Sequence, residues 1–131
     1  MDTQTRDTIE RCAQASSDGT AHFGEIVQAL LAAGVESYHA DYRSRLTTYY
    51  LPDGATLDIA LPVPDTPIGQ QFDATAVQAA VRGSQRGEVK YPEFKRLSMA
   101  AGCIGYTVWL AGRHVTYYGR RGESHVERFP D

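Results

Sequence analysis

Two short patterns in the sequence have the residue types of acid–base chemistry. His39 and Asp41 stand two apart in VESYHADY, and His125 and Glu127 stand two apart in SHVERF. Residues i and i+2 of a strand share a face, so each imidazole lies beside a carboxylate. The carboxylate orients the ring and favours its protonated form, which suits a general base, and two such pairs together could hold a metal ion. Arg113 would then hold an anionic group of the substrate. The plainer alternative puts His125 and Glu127 on an exposed edge strand near the chain end, and His39 and Asp41 on the solvent face of a one-sided sheet. No metal is assigned on this pattern alone.

Tyrosines are the second chemical feature: Tyr38, Tyr42, Tyr49, Tyr50, Tyr106, Tyr117 and Tyr118 crowd the strand-like segments. Adjacent tyrosines must point to opposite faces, so one of each pair belongs to the core. The other can line a groove, and Tyr38, Tyr50, Tyr106 and Tyr118 are the candidates for ligand contact, although tyrosine is also simply a good strand former. Arg113, His114, Arg120, Arg121 and Arg128, interleaved with Tyr117 and Tyr118, have the composition of a single-strand nucleic-acid surface. A net charge of −3 argues against that partner and for a solvated meander.

The elements that must position these residues are read from periodicity. A helix is predicted over Thr5 to Ser16, and a second from Phe23 to Leu31, capped by Thr20 and stopped by Gly34. From Val35 the period becomes two, giving three strands in VESYHADY, LTTYYL and ATLDIAL, separated by turns at Arg43-Ser44-Arg45 and Pro52-Asp53-Gly54. Pro62, Pro64, Pro67 and Gly69 make 62–71 a stiff connector. Asp73 caps a third helix ending at Gly87, and a fourth starts at Tyr91 with Pro92 in the first position and stops at Gly102. The strands CIGYTVWL, RHVTYY and SHVERF complete the chain.

The order of elements therefore repeats. Laying residues 5–62 on 73–130 with a constant shift and no gap produces thirteen identities, including AAG (Ala32 to Gly34 with Ala100 to Gly102) and TYY (Thr48 to Tyr50 with Thr116 to Tyr118). Unrelated segments of ordinary composition would give roughly four. The expected fold is α+β: an internally duplicated ααβββ unit, with antiparallel sheet and helices on one face, about a pseudo-two-fold axis. One domain over 1–131 is expected, because a half of about 60 residues buries its apolar face poorly alone. A cleft at the axis is the natural ligand site. The copies differ most where Leu57 and Ile59 answer to His125 and Glu127, and where His39 and Asp41 answer to Thr107 and Trp109.

Composition narrows the class further. With 42% apolar and 22% charged residues the chain is an ordinary globular one, and no apolar run approaches the length of a membrane helix. The polar, acidic start is unlike a secretory signal, so a cytoplasmic location without membrane contact is expected. Cys12 and Cys103 lack CxxC spacing and read as buried reduced thiols. Residues 1–65 carry ten acids and four bases, and 66–131 six acids and nine bases, so the halves should attract each other, within one chain or in a homodimer. Dinucleotide, P-loop and nucleophile-elbow motifs are absent and no cofactor is expected.

The stretches GVESYHADYRSRLTTYYLPDG, YPEFKRLSMAAGC and GRHVTYYGRRGESHVERFP resemble the YbcV-like proteins over nearly the whole chain. These small bacterial proteins are sometimes labelled phage or envelope proteins and are carried as a domain of unknown function. The resemblance implies an α+β fold and transfers no catalytic residue. The leading expectation is a non-enzymatic binding or regulatory module that holds a small ligand or peptide in a cleft between the repeats, lined by tyrosines and by His39 and His125. The alternative is a small hydrolase or isomerase using His125 or His39 as base, with Glu127 or Asp41 orienting it.

Overall fold

The computed structural model describes residues 1–130. Its elements are α1 (Thr3–Ser17), α2 (Phe23–Ala32), β1 (Ser37–Asp41), β2 (Leu46–Tyr50), β3 (Thr56–Ala60), α3 (Ala74–Gln85), α4 (Tyr91–Ala100), β4 (Cys103–Trp109), β5 (His114–Gly119) and β6 (Ser124–Arg128). The fold is α+β, with one six-stranded antiparallel sheet in the order β3-β2-β1-β4-β5-β6.

Two three-stranded meanders meet where β1 pairs with β4. That ladder is centred on His39 opposite Thr107, two residues that occupy the same position in the two halves, and it reads alike in both directions. The outer ladders match as well. Tyr38 faces Tyr49 as Tyr106 faces Tyr117, and Tyr49 faces Leu57 as Tyr117 faces His125. The turns agree in conformation too, since Arg45 and Arg113 both take φ of 60°.

All four helices cover one face of the sheet. Cross-strand partners share a face, so the registers place Tyr38, Ala40, Thr47, Tyr49, Leu57, Tyr106, Val108, Val115, Tyr117 and Glu127 toward the helices, all of them buried, together with half-buried Ile59 and His125 on the outer strands. The other face carries His39, Asp41, Thr48, Tyr50, Trp109, Tyr118 and Val126, which are half-buried or exposed. The helices contribute Ile9, Ile26, Leu30, Val77, Val81 and Phe94 to the core. Cys12 and Cys103 are buried free thiols, and burial pushes Cys103 up to about 11.

Two capping expectations are corrected. Helix α2 starts after His22, whose backbone N–H donates to the Glu25 carboxylate at 3.0 Å, while the Thr20 hydroxyl turns back to the Ala15 carbonyl at the end of α1. Pro92 is the second helical residue of α4, because Tyr91 already has helical geometry. The expected attraction between the halves is not expressed as direct ion pairs: those found among the described residues, such as Arg82–Glu127 and Arg96–Glu93, lie within the second half. No helix among the described residues is long and apolar enough to cross a membrane.

Gly34 and Gly102 end equivalent helices with φ of 86° and 89°, but their surroundings differ. A Cβ at Gly34 would meet open space, whereas one at Gly102 would lie 2.2 Å from the Gln71 carbonyl oxygen, where the connector crosses the helix end. Gly34→Ala is therefore expected to cost about 1 kcal/mol for the left-handed backbone alone. Gly102→Ala should cost several times more because backbone must move as well, a contrast that urea denaturation of the two variants will measure.

A second contrast concerns Lys95, which is only 3% exposed and occupies the position of Val27 in the first half. Its ammonium donates to the Pro62 carbonyl and lies 4.7 Å above the Tyr91 ring, with no carboxylate beside it, and burial lowers its pKa. An apolar side chain of similar shape avoids that desolvation, so Lys95→Met is expected to raise the urea midpoint, by about 1 kcal/mol or more in stability.

Candidate functional site

Between the helix layer and the inner face of the sheet lies a cavity of about 530 Å³. Its walls come from both halves at equivalent positions. Tyr38 and Tyr106 on the central strands face it, as do Tyr49 on β2 and Tyr117 on β5, and Phe23 and Tyr91 open the second helix of each half. The rings pack against one another: Tyr38 stacks on Tyr49 with centroids 5.2 Å apart, Tyr106 and Tyr117 lie 5.6 Å apart, and Phe94 meets Tyr106 edge-on.

Burial raises the pKa of each of these phenols, so they remain neutral donors throughout the ordinary pH range. The Tyr91 and Tyr106 hydroxyls bond to each other at 2.6 Å. Outside the cavity wall, the Tyr42 hydroxyl is held by Ser98 at 2.9 Å. The hydroxyls of Tyr38, Tyr49 and Tyr117 have no such intrachain partner among the described residues, yet no fully enclosed side-chain polar atom is left unsatisfied. These hydroxyls are thus left to bond whatever enters the cavity.

The ends of the cavity differ between the two halves. At one end β2 and β3 place Thr47 beside Ile59; at the other β5 and β6 place Val115 beside Glu127. Glu127 is buried, with His125 Nε2 2.8 Å from its Oε1 and Arg82 Nη1 3.4 Å from its Oε2. The other charged lining residues, Glu25, Lys90 and Arg128, are exposed.

A family model described as protein of unknown function (DUF1398) matches residues 11–127. The chain belongs to the DUF1398 family. It is similar to the uncharacterized proteins Rv2012 of Mycobacterium tuberculosis and Mb2035 of Mycobacterium bovis, at 29% identity over 108 residues in each case. The match covers 82% of this chain and 66% of each relative, slightly under two thirds of their length.

In this DUF1398 chain the residues singled out from sequence divide between the two faces of the sheet. Tyr38 and Tyr106 line the cavity, but Tyr50 and Tyr118 project from the opposite face, and their neighbours Tyr49 and Tyr117 take the inward places. The TYY triplets carried that information only as an either-or. Which member turns inward depends on the register with Tyr38 and Tyr106.

Convergence of His39 and His125 on one cleft is also corrected. His39 and Asp41 lie on the outer face because their neighbours Tyr38 and Ala40 are core, whereas His125 lies on the helix side, bonded to Glu127. Arg113 does not line the cavity. It occupies the left-handed position of the β4–β5 turn, where its guanidinium lies 5.9 Å above the Phe129 ring. Arg120 bonds to the carbonyls of Ile68 and Gly69 in the connector. Among the described residues no three His, Cys, Asp or Glu gather as a metal-ligand set.

On the outer face, His39 Nδ1 lies 2.8 Å from Thr107 Oγ1, which also accepts from the Tyr118 hydroxyl at 3.2 Å. Burial lowers the His39 pKa, against the opposing pull of Asp41. The unfolded chain therefore takes up this proton first as pH falls. The stability contributed by neutral His39 is complete above about pH 6.5 and is lost as pH drops through the lower folded value. Urea titrations at descending pH are expected to show this loss, and His39→Gln should flatten it.

Proposed function

We propose that this chain is a non-enzymatic binding module that holds a small ligand in the tyrosine-walled cavity. The observation that carries the proposal is the cavity's placement and lining: it spans the seam between the halves, and most of its aromatic wall comes in equivalent pairs, Tyr38 with Tyr106 and Tyr49 with Tyr117. Its volume is typical of small-molecule sites, and hydroxyls without intrachain partners on an apolar wall are the usual means of orienting a ligand.

The rival reading, a small hydrolase or isomerase with His125 as base, draws support from the His125–Glu127 contact alone. His39, Asp41 and Arg113, which that chemistry would recruit, lie away from the cavity. We further read the matching registers of the halves as an internal duplication within one domain, and the stretches quoted above as YbcV-like kinship within the family. The two buried free thiols support a cytoplasmic setting.

The binding reading is tested by two-dimensional amide NMR with a library of small aromatic and alicyclic fragments. Binders should shift the signals of Tyr38, Tyr49, Tyr106 and Tyr117. Val115→Phe, which places a ring in the cavity, should abolish those shifts while the variant keeps a cooperative urea transition. Fragments that instead perturb Tyr50 and Trp109 on the outer face, or that bind Val115→Phe undiminished, would overturn the proposal.

A further inference from the structure

Resting on the cavity as a binding site, we infer that its ligand is a cation: an ammonium on a compact apolar or aromatic body, with the charged group against Glu127. Three observations converge on that chemistry.

The first is charge. Of the charged side chains lining the cavity, Glu127 alone is buried, at 6% exposure; Glu25, Lys90 and Arg128 are in solvent at its margin. A charge at the margin is screened by water and salt, while a buried one governs what can enter. Arg82 and His125 each contact one carboxylate oxygen of Glu127, and a carboxylate has room for about four hydrogen bonds, so capacity remains for an N–H of the ligand.

The second is the wall. Aromatic rings offer negative faces that attract cations, and a carboxylate closing one end of a ring-lined chamber is the arrangement that selects ammonium groups over neutral isosteres. The chain makes two cation–ring contacts of its own on rings of this wall, Lys95 over Tyr91 and Arg113 over Phe129.

The third is asymmetry within a matched frame. The walls are equivalent in the two halves, but the positions of Thr47 and Ile59 in the first are Val115 and Glu127 in the second. Thr47 on β2 and Val115 on β5 are three strand spacings apart, about 14 Å along the sheet. An elongated molecule therefore has one end that accepts apolar or hydroxyl groups and one that accepts a positive charge, which fixes its direction in the cavity.

The test uses matched triads on the wild-type chain: arylalkyl and cycloalkyl amines, each with the alcohol and the carboxylate of the same carbon skeleton, titrated by amide NMR. The amines should bind about tenfold or more tighter than the alcohols, from one charge-assisted hydrogen bond plus ring contacts, and the carboxylates should bind weakest. Glu127→Gln should remove the preference for amines, bringing the amine and alcohol of each skeleton to within about twofold of each other. The wild-type ranking decides the matter even if that variant folds poorly. Alcohols or carboxylates that match the amines at the cavity signals would overturn the cation inference and leave the binding site standing. No binding by any member of the triads would overturn both.

Discussion

The pairing of β1 with β4 is the interaction on which the rest of the structure depends. Each half has three strands and two helices, too little to enclose a core of its own. Antiparallel pairing at the central strands turns two meanders into one sheet and sets both helix pairs on the same face. Because the ladder is centred on equivalent residues, each half presents its wall to the other, and the chamber between sheet and helices straddles the seam. Tyr38 and Tyr106, one from each seam strand, belong to the cavity for that reason.

A residue at the centre of such a ladder faces its own counterpart. Two identical residues there would have to satisfy each other, and the chain avoids this by placing His39 opposite Thr107, a ring nitrogen within hydrogen-bond distance of a hydroxyl. Equivalent positions further out are free to diverge singly. Val27 and Lys95 diverge inside the core, and Ile59 and Glu127 diverge at the cavity ends. Shared positions build the frame. The divergent ones install charge at particular points in it, at a cost in desolvation that an apolar residue would not incur.

Much of this frame was legible along the chain. Apolar residues at spacings of three and four, and stretches of period two, located four helices and six strands, and the glycines at 34 and 102 marked helix ends. The helix starts were less legible. Thr20 and His22 are both capable of ending a turn, and the choice was made by Glu25, whose carboxylate reaches the His22 backbone.

The sequence by itself determined which residues share a face within each strand, because alternation is a property of the extended backbone and needs no partner. It did not determine which face the helices cover, since that depends on the pairing of strands far apart in the chain. Tyr49 and Tyr117 went inward, Tyr50 and Tyr118 outward, and His39 parted from His125 through that one decision. Burial of Lys95 and closure of a chamber around Glu127 were likewise decided only in three dimensions. Both arise from helices docking on the sheet, and packing of that kind leaves no periodic trace in the order of residues.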